Sequence, residues 1–224
     1  MNYIPQLYDF LRRLSANNNR PWFQAHKDEY DHLRQLWLAD LERFIAAVAQ
    51  WWPEVASQTP ASSAYRIYRD TRFSPDKTPY KVYFSAAVCP QGKSAERPGL
   101  YLHQGPETER ITIPSGIYGG LWCPSAQVLK KMRQAIVDNE EEWLDIVQPL
   151  EKIYPGWCGE KLKRAPAGWP IDHPMIEHLN LKEYGKFRPL DERFFTNPRW
   201  PEHAAEMRRP LKPLLDVINY TIDE

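Results

Sequence analysis

The stretch Val82-Tyr83-Phe84-Ser85-Ala86-Ala87-Val88-Cys89-Pro90 decides the fold class. Val82, Phe84, Ala86 and Val88 are apolar at every second position, the period of a strand with one buried face. Pro90 lacks a backbone donor and closes the run. Gly99 to His103 offers a second short strand, and Ile111 and Ile113 alternate around Thr112 in a third. The connections hold Pro, Gly and Ser and no helical rhythm. Short strands joined in this way predict a mainly antiparallel sheet.

On both sides of this region the period becomes helical. Upstream, Leu7, Phe10, Leu11 and Leu14 recur at i, i+3, i+4 and i+7 behind Pro5, and the Asn17-Asn18-Asn19-Arg20 run stops that helix. Phe23, Tyr30, Leu33, Trp37, Leu41, Phe44 and Val48 continue the rhythm to Trp51-Trp52-Pro53, a length that predicts a kink or break between His26 and Asp28. Downstream, Leu129, Met132, Arg133 and Ile136 mark one helix. Trp143, Ile146, Val147 and Leu150 mark another, behind an Asn139-x-x-Glu142 pair resembling a capping box. A Pro-rich stretch from 154 to 174 reads as irregular, and Leu211, Leu214, Leu215 and Ile218 close the chain. There is no internal repeat. The expectation is one α+β domain over 1–224: helical over 1–52, mainly strands over 64–117, and mainly helical over 124–224. Helices from both ends pack against the sheet.

Composition narrows the function classes. Twenty-nine Lys plus Arg balance 29 Asp plus Glu in 224 residues, so no global field draws the chain to nucleic acid or anionic membrane. Twenty-one Pro against 10 Gly indicates stiff loops, and nine Trp indicate an aromatic core or a flat-walled groove. Cys89, Cys123 and Cys158 lie far apart and fit no disulfide framework, which predicts a reducing cytoplasm. Residues 1–20 carry Asp9, Arg12, Arg13 and Arg20 and no cleavable apolar core. The longest apolar run, Phe44 to Ala49, is too short to cross a bilayer.

The chemistry concentrates in Tyr65-Arg66-Ile67-Tyr68-Arg69-Asp70-Thr71-Arg72-Phe73-Ser74-Pro75-Asp76-Lys77-Thr78-Pro79-Tyr80-Lys81. From Arg66 to Lys81 three Arg and two Lys face two Asp, a local excess of three positive charges in a neutral chain. Guanidinium forks hold phosphate or carboxylate oxygens in pairs, and Lys adds a point charge. Arg66, Arg69, Arg72, Lys77 and Lys81, with Tyr80 among them, are therefore the candidate ligands for an anion. Asn18, Lys27 and Arg164 are candidate neighbours. Asp70 and Asp76 are suited to orient the cations, to ligate Mg²⁺, or to act as acid or base; Mg²⁺ is the one cofactor they suggest. The bland alternative is a solvated hairpin whose ion pairs each contribute little.

This segment resembles the signature of the conserved hypothetical proteins grouped as domain of unknown function 2461, whose Arg-x-x-Arg-Asp-x-Arg-Phe-Ser-x-Asp-Lys-x-Pro-Tyr-Lys core is matched by Arg66 to Lys81. An Asn-Asn-x-x-Trp-Phe element is matched by Asn18, Asn19, Trp22 and Phe23, with Lys27 and Tyr30 following. Gly99 with Tyr101, a Gly119-Gly120-x-Trp122-x-Pro124 turn, Leu162-Lys163-Arg164-x-Pro166-x-Gly168, Asp172-His173-Pro174 and Leu179-x-Leu181-Lys182 extend the likeness over nearly the whole chain. Ala167 departs from it, standing where relatives usually carry Lys. The resemblance implies no particular activity.

Other candidates are weaker. His173 beside Asp172 fits an oriented general base, although a turn histidine before Pro is commoner. His173 and His178 have no zinc spacing. Ser74 lacks a nucleophile elbow, and Gly119-Gly120 is too short for a phosphate loop. Trp22, Trp122 and Trp169 adjoin turn residues and suit either a groove wall or the core. Two main readings follow. One is a domain that binds, or acts on, a phosphorylated or other anionic small molecule. The other is a nucleic-acid or protein interaction module, disfavoured by the neutral charge. A purely structural ion-pair motif is the third. The residues do not separate hydrolysis, transfer and simple binding, and they do not give the oligomeric state.

Overall fold

A computed structural model describes residues 2–93, 96–108 and 114–224. The N-terminal rhythm forms α1 (Ile4–Ala16), α2 (Arg20–Ala25) and α3 (Lys27–Ala49). Helix α1 buries Leu7, Phe10, Leu11 and Leu14 on one stripe and ends at Asn17. The Asn19 side chain caps α2 by accepting the Trp22 amide at 3.0 Å. The expected break falls at His26, whose φ of −116° leaves the helical region and whose ring bonds the Trp22 carbonyl at 2.8 Å. Beyond it α3 buries Tyr30, Leu33, Trp37, Leu41, Phe44, Ile45 and Val48.

After the short α4 (Pro60–Ser63) come β1 (Phe84–Val88), β2 (Gly99–Gln104) and β3 (Gly116–Leu121). Then follow α5 (Ala126–Asp138), α6 (Glu140–Ile153), α7 (Ile176–Leu179), β4 (Tyr184–Pro189), α8 (Glu192–Phe195), α9 (Trp200–Arg208) and α10 (Lys212–Asp223). The four strands form one antiparallel sheet in the order β1-β2-β3-β4, so the α+β class holds. Phe84, Ala86, Val88, Leu100, Leu102, Ile117 and Leu121 are buried and join α1, α3, α9 and α10 in one core. Each fully buried aliphatic or aromatic side chain contributes roughly 1.5–3 kcal/mol.

Three local expectations change. The alternation at Ile111 and Ile113 lies outside the described residues. Gly119-Gly120 is not a turn but the interior of β3, and β4 comes from the half read as helical. Glycine is required at this seam by close approach. A Cβ on Gly120, at φ +141°, would meet the Tyr184 carbonyl oxygen at 2.1 Å, and one on Gly185 would meet the Tyr118 ring at 2.0 Å. The Asn139–Glu142 pair forms no capping box: the Asn139 amide turns back to the Ala135 carbonyl at 3.3 Å.

One buried polar contact ties α3 to the sheet. Trp37 is wholly buried, packs edge-on against Phe84, and donates its indole N–H to Gln104 Oε1 at 2.9 Å. Trp37→Phe removes the donor and leaves Gln104 unsatisfied beside a small void. The expected loss is roughly 2–3 kcal/mol, measured as a lower urea midpoint at unchanged slope.

Candidate functional site

The motif is a hairpin that extends the β1 side of the sheet. Tyr68 bridges Tyr80, the Arg69 amide donates to the Pro79 carbonyl at 2.9 Å, and the Lys81 amide donates to the Ile67 carbonyl at 2.7 Å. Asn18 fastens this hairpin to the α1–α2 corner. Its Nδ2 donates to the Tyr80 carbonyl at 2.9 Å, and its Oδ1 accepts the Tyr80 amide at 3.1 Å. The buried Tyr80 ring stacks on Phe23 at 4.0 Å. Asn18 and Tyr80 thus place the motif.

Most of the motif's charge is spent within the hairpin. Arg69 donates to Asp76 Oδ2 at 2.7 Å and the Thr78 carbonyl at 3.0 Å, and also to the Thr78 hydroxyl. Asp70 accepts from Arg72 Nε at 3.0 Å and Nη2 at 2.7 Å, and from the Arg72 amide at 3.2 Å. Lys77 Nζ donates to the Thr71 carbonyl at 2.9 Å. The Arg72 fork holds the Asp70 carboxyl down at about 2. The Thr78 amide and hydroxyl, with Arg69, hold Asp76 at about 2. Both carboxylates are ionised at neutral pH and engaged on both oxygens, so neither is poised as a proton donor or acceptor. Among the described residues no group of three or more His, Cys, Asp or Glu could hold a metal ion.

The expected convergence of Arg66, Arg69, Arg72 and Lys77 on one cavity does not occur. A shallow depression of about 320 Å³ is lined by Asn18, Arg69, Asp70, Asp76, Tyr80, Lys81 and Tyr83, among others. Arg66, Arg72 and Lys77 are exposed outside it. Lys27 pairs with Asp31 one turn along α3, and Arg164 lies exposed in the irregular segment. His173 accepts the Met175 amide on Nδ1 at 3.1 Å, and its Nε2 lies 3.9 Å from Glu140. That makes it a turn histidine, remote in its contacts from the motif.

Three cations are left over: Arg66, Lys81 and Lys93. None forms an ion pair with a described carboxylate. Lys81 is half-buried, and burial, then Arg66 and Lys93, hold its ammonium below the ordinary lysine range. Its Nζ sits 5.1 Å from the Tyr65 ring centre and 5.8 Å from that of Tyr83. Lys93 Nζ lies 5.3 Å from Tyr65 on its own account and donates to the Ala64 carbonyl at 2.8 Å. Ring faces attract these cations without neutralising them.

The same tyrosines open a second concavity, a cleft of about 390 Å³ over the sheet face opposite the core. Tyr65, Tyr83, Tyr101, Tyr118 and Trp122 give it aromatic walls, and Lys93 and Arg97 supply charge. Arg97 is paired with Asp223 at 2.6 Å. Trp122 is 64% exposed and stands edge-on to Tyr118. Trp22 instead stacks on His26, and Trp169 packs partly against the core. Sequence reasoning missed the tyrosines, although the signal was present: Tyr83 and Tyr101 occupy outward positions of the alternation, where a solvated face carries polar residues. Beside Tyr83, at 4.2 Å between rings, lies His103, with a buried Nε2 that has no hydrogen-bond partner.

Burial, aided by Lys81, pulls the His103 pKa down to about 4. The unfolded chain, titrating near 6.5, binds the proton more tightly, so stability falls as pH drops from 6.5 toward 4. The loss should be on the order of 3 kcal/mol, ahead of the Asp70 and Asp76 losses between about 3.8 and 2. Urea midpoints measured across pH 4–7 should slope upward with pH and become flatter in His103→Gln.

No curated protein and no solved structure matches the chain. A family model does, over residues 6–216, which takes in the α1–α2 corner, the hairpin, all four strands and the aromatic cleft. The chain therefore belongs to the family of conserved hypothetical proteins DUF2461.

Proposed function

We propose that the domain binds a phosphorylated or otherwise anionic small molecule with a flat apolar portion. The anion is taken by Lys81, Arg66 and Lys93, and the flat portion lies in the Tyr65–Tyr83–Tyr101–Trp122 cleft. One observation carries this reading: a half-buried ammonium, depressed by two neighbouring cations and lacking a carboxylate, at the border of an aromatic cleft. An anion would relieve that repulsion while making charge-assisted hydrogen bonds, and rings on either side favour a planar body. Arg69, Asp70, Arg72, Asp76 and Lys77 are assigned a structural role, since their pairs close the hairpin. The neutral net charge disfavours an extended nucleic-acid track.

Thermal melting at low salt tests this. Phosphate, nucleotides or sugar phosphates at a hundred times the dissociation constant should add about 2.7 kcal/mol, a rise of roughly 5–10 °C for a chain of this length. Lys81→Gln should remove most of that rise and leave the unliganded melting temperature within about 2 °C of the parent. Absence of any rise with all three ligand types would refute the proposal.

A further inference from the structure

Helices α5, α6 and α10 pack together and leave an unfilled groove between them. Two adjoining depressions, of about 690 and 470 Å³, share Glu142, Ile146 and Pro213 and form one channel along α6 from Asn139 to Ile153. A helix of this length spans about 20 Å, room for three to four turns of a second helix. Its accessible apolar lining is Ile146, Pro149, Ile153, Pro213, Val217 and Tyr220, lying over the buried Met132, Ile136 and Trp143. Tyr220 at one end and Ile153 at the other are exposed.

The charge along the groove is one-sided. Glu141, Glu142, Asp145, Asp216 and Glu224 line it, and no Lys or Arg does, in a chain that carries 29 of each sign. Only Asp216 has an ion-pair partner among the described residues near the groove, the Lys212 ammonium one turn away on the same helix. The carboxylates of Glu141, Glu142 and Asp145 on the α6 wall have no ion-pair partner among the described residues, and they repel nucleic acid and anionic lipid and favour Lys or Arg flanking an apolar stripe. The groove's length along α6 suits helix-in-groove recognition, which is read through anchors at i, i+3, i+4 and i+7.

We infer that this groove docks a basic amphipathic helix of a partner protein, with aliphatic anchors on the α6–α10 floor and Lys or Arg against the Glu141–Asp145 and Asp216–Glu224 walls. It shares no lining residue with the aromatic cleft, so it stands or falls independently of the small-molecule reading. The test uses the full chain and a labelled helical peptide of about 18 residues carrying Leu at the anchor spacing and Lys on its flanks. The expected result is saturable fluorescence anisotropy at low salt that weakens as the Debye length shrinks toward about 10 Å at 0.1 M. An otherwise identical peptide with Glu flanks should bind at least about tenfold more weakly. Glu142→Lys with Asp145→Lys, both on the exposed side of α6, should cost at least about tenfold in affinity with an unchanged circular dichroism spectrum. Amide shifts on adding the basic peptide should fall on α5, α6 and α10. The inference is overturned by equal binding of both peptides, by indifference to the charge reversal, or by shifts confined to another face. It is overturned equally if sedimentation shows a dimer of this chain already covering the groove, or if no anisotropy change occurs up to about 100 µM peptide.

Discussion

The Asn18 side-chain amide holds both backbone polar groups of Tyr80, and Phe23 stacks on its ring. From this one fixed residue the arrangement of the site follows. In an extended chain successive side chains point to opposite faces. With Tyr80 turned inward onto Phe23, Lys81 must turn outward, and Val82 inward again into the core. The outward position places the Lys81 ammonium over Tyr65 and Tyr83, on the sheet face that no core helix covers. The upstream helices therefore decide, through a two-point amide contact, on which side of the sheet the motif presents its charge.

Within the hairpin the charges divide into two groups with different physics. Arg72–Asp70 and Arg69–Asp76 are solvent-accessible pairs that water and salt screen, so each contributes little to stability. Their role is geometric: they fix the turn through forks and Asx-type bonds to backbone amides. Arg66, Lys81 and Lys93 have no carboxylate in direct ion-pair contact among the described residues, although Arg66 acts at longer range on Asp70, and Lys81 is also desolvated. A group of like charges held together by a rigid scaffold costs stability unless something opposes it, and such costs concentrate where ligands bind.

The fold was largely legible where the alternation or the helical stripe was clean: Val82 to Val88, Leu7 to Leu14, and Tyr30 to Val48. Strand β4 was not, because Lys186 occupies a core-facing position. Its ammonium is fully buried, paired with Glu151, bonded to the Gly156 carbonyl at 2.8 Å and stacked over Trp157 at 4.1 Å. No local pattern signals a buried charge satisfied from a distant helix. Strand β3 was hidden for a related reason: its glycines serve the Tyr184 backbone and the Arg208 and Leu211 side chains passing close by. At the site the charged segment was legible but its division was not. Which Arg meets which Asp depends on the turn path, whereas the surplus cation Lys81 was named and Lys93 and the tyrosine face were overlooked.

The proposed anion site requires Lys81 to be a desolvated cation pressed by Arg66 and Lys93. Its side-chain titration, followed by NMR in lysine-labelled protein, tests this most directly. The account predicts a midpoint below the ordinary 10.5 that moves upward in the Arg66→Gln, Lys93→Gln double variant, where the two repelling charges are gone. A Lys81 that titrates at the ordinary value and does not move when both neighbours are neutralised would contradict it.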